Sequence, residues 1–241
     1  MKKAAIVVPD NVKEVLLHAC CAPCSSAIVE WLMAHDVCPT IFYYNPNIWP
    51  NEEYEIRKEE SKRHAESLGL KWIDGDYHHD EWLEGVCGLE NEPERGRRCE
   101  RCFTLRLTAT ARKAKELGIV YFATTLASSR WKSLEQIERA GLAAQEAVPG
   151  TKFWAQNWRR GGLQDRRNSC SRNTASIISS IVDVSFRQET LIRPSDAFNE
   201  PSDAFNKPSD AFNDFREPFI LYKNEQQYLW SRFFVVILQA K

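Results

Sequence analysis

The sequence predicts a three-layer α/β domain built on a parallel sheet, followed by an irregular C-terminal tail. Short apolar or β-branched runs alternate with helical segments as far as about residue 160. The chain has 241 residues and is 43% hydrophobic, which is enough for a sizeable core. We expect the α/β domain at residues 10–165, a divergent segment at 166–190, and a repeat linker with a tail at 191–241.

Each predicted element depends on a local pattern. Strands are predicted where short runs are apolar, β-branched or aromatic, at Glu14–His18, 40–45, 71–77 and 120–129. Helices are predicted where apolar residues share one face or a polar run ends at glycine, from Ser25 or Ser26 to Met33 and at 52–69, 104–118 and 134–147. Ligands bind beyond the carboxyl ends of parallel strands, so the residues after the first strand are expected at the ligand-binding edge.

The composition excludes several classes of protein. The formal net charge is -1, so any contact with nucleic acid must use a local basic patch. The N-terminus lacks a secretory signal pattern, and no run approaches the roughly 20 apolar residues of a membrane span. We therefore expect a cytoplasmic protein that does not use a membrane. In that compartment clustered cysteines indicate metal ligands or redox thiols rather than disulfides.

Two cysteine clusters carry the chemical signal. LLHACCAPCSS places Cys20, Cys21 and Cys24 directly after the first predicted strand. RRCERCFTLRL places Cys99 and Cys102 on a predicted turn before a helix, whose N-terminus favours thiolate. This arrangement favours a metal or iron-sulfur site over a redox dithiol or inert core cysteines. Zinc needs only four thiolates, so five candidates favour iron-sulfur chemistry.

Longer blocks of sequence resemble one family. LLHACCAPCSS, YYNPNIWPNEEYEIRKEE, GLENEPERGRRCERCFTLRL and ATTLASSRWKSLEQI, in this order, resemble the cobalamin-independent epoxyqueuosine reductases of the QueH family over about residues 12–162. The resemblance implies a Rossmann-like fold of the nucleotide α-hydrolase type. It also implies reduction of epoxyqueuosine to queuosine in the tRNA anticodon loop, with a [4Fe-4S] cluster and an additional iron. The implied partners are tRNA carrying epoxyqueuosine and an electron donor whose identity the sequence does not give.

The resemblance also implies roles for individual residues. Cys20, Cys21, Cys99 and Cys102 become the expected ligands of the metal site, with Cys24 a candidate for the second iron. His18 is expected to be a core histidine, and Cys38 and Cys87 small buried residues. Several positions keep two interpretations, as turn or helix residues or as substrate contacts: Asn45, Asn47, Glu53 and Arg57. RNA contact is expected along two arginine runs: Arg95, Arg97, Arg98, Arg101 and Arg106, and Arg159, Arg160, Arg166 and Arg167. Three tryptophans are expected to fill the core or cover loops, although an exposed ring could stack on an anticodon base: Trp72, Trp82 and Trp131.

The resemblance stops after Gly162. Where the family carries a Y-C-G-C segment, this chain has NSCSRNTASIISSIVDVSFRQ, with a single cysteine, Cys170. If the third base of each codon is read with the first two bases of the next, Ile178–Val184 can encode Q-Q-Y-C-G-C. We hypothesise a frameshift, in the gene or in its sequencing, that replaces two metal-site cysteines. Sequencing the DNA across these codons tests this hypothesis.

The tail contains a seven-residue repeat. RPSDAFN, EPSDAFN and KPSDAFN begin at Arg193, Glu200 and Lys207, and the proline in each unit favours an extended linker. Two alternatives to the reductase remain open from the sequence. One is a non-catalytic descendant that still binds metal or tRNA, and the other is a zinc-stabilised binding domain.

Overall fold

The first strand is the centre of the sheet. The structure is a computed structural model that describes residues 6–173, with side chains described as far as residue 168. β1 (Glu14–Ala19) is buried at every position after Glu14, as expected for a strand covered on both faces. On one side of it lie β2 (Cys38–Tyr43) and β3 (Trp72–Asp74), and on the other β4 (Tyr121–Thr124) and β5 (Lys152–Phe153). All the pairings are parallel, so the predicted α/β class is confirmed.

Helices cover the sheet in two groups. α1 (Ala22–Met33) packs against α2 (Asn51–Ser67) and α6 (Leu163–Asn173), and α4 (Arg97–Glu116) packs against α5 (Leu134–Ala147). The strand order reverses direction between β3 and β4, so right-handed crossovers place the two groups on opposite faces. The core between the layers is built mainly from β1, β2, β4, α1, α4 and α5.

The two helices that carry cysteines begin earlier than the sequence predicts. α1 begins at Ala22 rather than after Ser25, with Pro23 in its first turn, where a missing N–H costs nothing. α4 begins at Arg97 rather than at residue 104, because the Glu92 carboxylate accepts the Arg97 N–H at 3.1 Å and caps the helix. Cys99 and Cys102 therefore lie on a helix, and the predicted turn before it is wrong.

The sequence patterns do not predict three short elements. α3 (His79–Gly85) lies between β3 and α4, and α6 follows β5. β5 has only two residues, which is too few to show any periodicity. β5 is held by two backbone bonds, from Lys152 N–H to the Val120 carbonyl at 2.7 Å and from Trp154 N–H to the Phe122 carbonyl at 2.8 Å. The fourth predicted strand ends at Thr124 and continues as a 3₁₀ turn, Thr125–Ser128.

None of the helices in the described part of the chain has the length and apolar character needed to cross a bilayer. The segment of the frameshift hypothesis, Ile178–Val184, and the repeats from Arg193 lie outside the described residues. The division of the chain into segments at residues 165 and 190 stays a prediction.

Candidate metal centre

Three thiols lie together beyond the carboxyl end of β1. The Sγ atoms of Cys20, Cys21 and Cys24 are within 4.8 Å of one another, and those of Cys20 and Cys21 are 3.9 Å apart. All three side chains are partly buried. Among the described residues, these form the group of histidine, cysteine or carboxylate side chains that is arranged to hold a metal ion. The ligand-binding edge that the sheet predicts is therefore where the thiols converge.

The local chain path explains this convergence. β1 ends at Ala19, and the Cys20 N–H donates to Thr125 Oγ1 at 3.2 Å, which fixes the first thiol to the turn after β4. The Thr125 hydroxyl in turn donates to Cys20 Sγ at 3.4 Å. Cys21 is the N-cap of α1, and Cys24 follows three residues later in the first turn. Residues three apart on a helix are neighbours on one side, so both thiols turn toward Cys20.

The thiols share their protons unequally. Hydrogen bonds from Cys21 and Cys24 lower the pKa of Cys20 well below its ordinary value, against the effect of burial. The hydrogen bond to Cys20 and burial raise the pKa of Cys21, and the bond to Cys20 with burial raises the pKa of Cys24 to about 12. Cys20 is thus the most acidic of the three thiols. A metal ion would replace these shared protons, because thiolates are the binding form.

The donor set fits a thiophilic metal. With a metal–sulfur distance of about 2.3 Å, two sulfurs of a tetrahedral site lie about 3.8 Å apart. The 3.9 Å between Cys20 and Cys21 is close to that value. Three soft donors around one point suit zinc or iron, and a fourth position is left for another donor.

The second cysteine pair lies on α4 and lines a small cavity. Cys99 and Cys102 are buried, one helical turn apart, and their Sγ atoms are not part of the three-thiol group. The other lining residues are mostly cationic or aromatic: Asn47, Trp82, Arg98, Phe103, Arg106 and Lys132. Cys99 belongs to the main core, against which Cys20 also packs.

A buried arginine links the two cysteine segments. Arg106, one turn after Cys102 on α4, donates from Nη2 to Asn45 Oδ1, and Asn45 Nδ2 donates to the Ala19 carbonyl at 2.9 Å. Both side chains are buried, and Arg106 Nε has no hydrogen-bond partner among the described residues. Arg106 is thus buried and bonded to Asn45 rather than exposed on a basic surface, and its contact with RNA stays a prediction.

Comparison with known proteins identifies the family. The family described as epoxyqueuosine reductase QueH matches residues 15–176, about two thirds of the chain. The chain belongs to the QueH family. Similar proteins named epoxyqueuosine reductase QueH occur in Acinetobacter baylyi, with 46% identity over 68% of this chain and 75% of the relative, and in Histophilus somni, with 43% identity over 68% of each. The protein of Haemophilus influenzae is 42% identical over 68% of this chain and 67% of its own.

In this QueH-family chain, His18 has the core role that the sequence predicts. It is fully buried, with Nε2 bonded to the Tyr44 carbonyl at 3.0 Å and Nδ1 to Thr124 Oγ1 at 2.8 Å. Since a carbonyl only accepts, Nε2 carries the proton and Nδ1 accepts from the Thr124 hydroxyl. Burial, with the nearby Arg106 charge, lowers the pKa of His18 to about 3. The neutral ring joins β1 to β4 and to Tyr44, the residue that follows β2.

Glu53 and Arg57 form the predicted helix pair, but it is not exposed. Arg57 Nε donates to Glu53 Oε1 at 2.6 Å, and each side chain keeps only 13% of its surface exposed. Burial opposes the charge of Arg57, yet Glu53 and the nearby Cys21 and Cys20 side chains raise its pKa. This QueH-family site thus has a positive charge near its sulfurs, which the sequence shows only as a salt bridge on a helix.

The solvent exposure of the side chains tests several other predictions made from the sequence. Cys38 and Cys87 are exposed, so their prediction as buried residues is wrong. Asn45 and Asn47 are both buried, and Asn45 has its amide committed to the backbone and to Arg106. Trp82 is buried, as predicted, whereas Trp131 keeps 55% of its surface exposed. The two arginine runs are not tested by any contact with RNA.

Proposed function

We propose that this chain reduces epoxyqueuosine to queuosine in the anticodon loop of tRNA. The observation that carries the proposal is the three-thiol group beyond β1 in a chain that belongs to the QueH family. Relatives with 42% to 46% identity are named for this reaction. The reaction breaks both carbon–oxygen bonds of the epoxide, forms a carbon–carbon double bond and releases water. It consumes two electrons and two protons.

The proposed cofactors are a [4Fe-4S] cluster and an additional iron. Cys20, Cys21, Cys99 and Cys102 are proposed as cofactor ligands, and Cys24 as a ligand of the additional iron. Such a centre, when bound, supplies single electrons and an open iron that polarises oxygen. The two electrons come from an external reductant. The cysteine thiols are not the electron source, because they serve as ligands and are not themselves oxidised.

Residues next to the thiols fix their positions and stabilise their negative charge. Thr125 holds Cys20 through its backbone N–H and its sulfur, which fixes the position of that sulfur. The charges of Arg57 and Arg106 act on the Cys20 thiolate and offset the repulsion that builds up when neighbouring thiols ionise. The site is partly buried, which limits water around the sulfurs and strengthens these charge interactions.

The tRNA is proposed to approach from the cavity beside Cys99 and Cys102. Arg98 and Lys132 line this cavity, and Arg95, Arg97 and Arg101 are exposed or partly exposed close by along the chain. Because the whole chain is slightly acidic, this local patch supplies the attraction to phosphate.

One observation favours a second candidate. The 3.9 Å spacing of Cys20 and Cys21 suits one tetrahedral ion, so a zinc-stabilised binding domain also accounts for the three thiols. Iron-sulfur binding and zinc binding differ in composition, since only the former contains acid-labile sulfide.

Anaerobic purification of the full chain separates the two candidates. We expect iron and sulfide in the protein, together with reduction of an epoxyqueuosine-containing anticodon stem-loop in the presence of dithionite. The variants C20S and C99S should lose iron, sulfide and activity, whereas C38S, which changes an exposed cysteine outside both clusters, should match the parent chain. Zinc without sulfide, or iron content unchanged in C20S, would contradict the proposal.

A further inference from the structure

The segment 129–132 is held in place through its backbone. Arg95 donates from Nε to the Trp131 carbonyl at 2.9 Å and from Nη2 to the Arg130 carbonyl at 3.0 Å. Arg159 donates from Nη2 to the Lys132 carbonyl at 2.6 Å and also to the Ser129 carbonyl. Four consecutive carbonyls thus accept bonds from two arginines. Charge-assisted bonds are stronger than neutral ones, so this segment has one well-defined backbone path.

Arg130 and Trp131 in this segment have side chains that are exposed to solvent. Trp131 keeps 55% of its surface exposed, and the guanidinium carbon of Arg130 lies 4.8 Å from the centre of its ring. Single exposed apolar residues are common and need no explanation on their own. Here the exposed ring stands on a fixed backbone and carries a cation on its face, which is an arrangement suited to a flat, electron-rich and negatively charged partner.

The position of the segment relates it to the proposed site. It follows the 3₁₀ turn that contains Thr125, the residue bonded to Cys20, so it belongs to the same carboxyl edge of the sheet. The next residue after Trp131, Lys132, lines the cavity with Cys99 and Cys102, and its ammonium lies 5.6 Å from the ring of Phe103. A molecule that reaches this cavity over Lys132 therefore passes close to Trp131.

We propose that Trp131 is a stacking platform for an unpaired base of the RNA, next to the nucleotide that enters the reaction site. This inference depends on the proposed function, which supplies the anticodon loop as the ligand. Bases in such loops are unpaired, and proteins bind them by stacking on aromatic rings and on guanidinium planes. Arg130 holds one side of the platform, and Lys132 supplies charge for the adjoining phosphate. The partner is thus single-stranded RNA.

The test measures binding of a labelled anticodon stem-loop to the full chain by fluorescence anisotropy. Loss of one stacked base corresponds to a Kd about 5 to 150 times higher, and we expect W131A to fall in that range. W131F keeps an aromatic face and should retain most of the affinity, whereas W131L keeps apolar area without a stacking face and should resemble W131A. V120A is the matched control, because Val120 is exposed before β4, at the opposite edge of the sheet.

A second measurement reports on stacking itself. 2-Aminopurine placed at successive loop positions is quenched when it stacks, so one position should be quenched by the parent chain and remain bright with W131A. Unchanged affinity and unchanged quenching in W131A, with the same melting temperature as the parent, would overturn this inference alone. Failure of the parent chain to bind the stem-loop at all would overturn the proposed function as well.

Discussion

Arg106 and Asn45, 61 residues apart in the chain, meet inside the protein in a charge-assisted hydrogen bond. Asn45 also donates to the Ala19 carbonyl, the residue before Cys20, so one amide fixes α4 to the end of β1. The buried guanidinium already has one nitrogen without a partner among the described residues. The pair therefore determines how the helix with Cys99 and Cys102 sits against the strand that leads to Cys20.

Replacing Asn45 by alanine should destabilise the protein. The change removes an acceptor from a buried cation and a donor from the backbone, and leaving such groups unpaired costs about 1–3 kcal/mol. Urea unfolding of N45A should show this loss in the free energy of unfolding. N91A, at an exposed asparagine, is the control and should unfold like the parent chain. Equal midpoints for N45A and N91A would show that Arg106 finds other partners.

Removing bound metal should lower the melting temperature. A ligand that binds only the folded state stabilises it by mass action, by about 2.7 kcal/mol at 100 times its Kd. Chelation should therefore lower the melting temperature of the parent chain, measured by calorimetry under anaerobic conditions. In a C20S/C21S variant, which lacks two of the three clustered thiols, the chelator should have little effect. An equal shift in both proteins would place the bound metal elsewhere.

Gly141 on α5 is expected to resist substitution. A methyl group at this position would lie 2.3 Å from ring atoms of Phe153, well inside contact distance, so the ring must move. Alanine normally stabilises a helix by about 1 kcal/mol relative to glycine. In G141A we expect overpacking to outweigh that gain and to destabilise the protein by about 1–3 kcal/mol.

The double variant G141A/F153L isolates the cause. If the clash with the ring is the source, the two changes should be coupled in a double-mutant cycle, and the smaller side chain should recover part of the loss. Additive effects in thermal unfolding would show that the ring is not the obstacle.

Restoring the alternative reading frame should raise activity. The family match ends at residue 176, two residues before the segment that can encode Q-Q-Y-C-G-C. Five thiols remain in the two clusters, enough for one four-iron cluster but leaving only one for a second iron. We expect the chain as written to reduce epoxyqueuosine poorly, because fewer anionic ligands hold that iron more weakly. A chain with the restored segment should be active.

The comparison uses both chains at matched cluster content, with an epoxyqueuosine stem-loop and a chemical reductant under anaerobic conditions. Equal rates would mean that the two cysteines are dispensable and that the second iron is held by other groups.

The central strands and the ends of two helices could be predicted from sequence, because their signals are local. β1 and β2 are apolar runs, and Gly69 and Gly118 take positive φ angles just beyond α2 and α4, where glycine is favoured. The starts of α1 and α4 could not be predicted. Cysteine is a poor helix former, and the cap of α4 comes from Glu92, five residues before the Arg97 N–H that it accepts.

The thiol group was accessible to sequence analysis, whereas its surroundings were not. The spacing of Cys20, Cys21 and Cys24 is visible in eleven letters of sequence. Arg106 and Asn45 are 61 residues apart, and no local sequence pattern relates them. In the sequence, Arg106 is therefore indistinguishable from the other arginines of the same basic run. Likewise, exposed Cys38 resembles any small residue at the start of a strand until the packing is known.

The ion pair between Arg166 of α6 and Glu30 of α1, with nitrogen–oxygen distances of 2.6 and 3.0 Å, has a consequence for the order of synthesis. α6 returns to the helix that carries Cys24, and the charge of Arg167 acts on that thiol. At about 5–20 residues per second, a ribosome makes Cys24 roughly 7–30 s before Arg167. During that interval the nascent chain holds three thiols without the helix that completes their surroundings. The surroundings of the three thiols are therefore complete only after α6 has been synthesised.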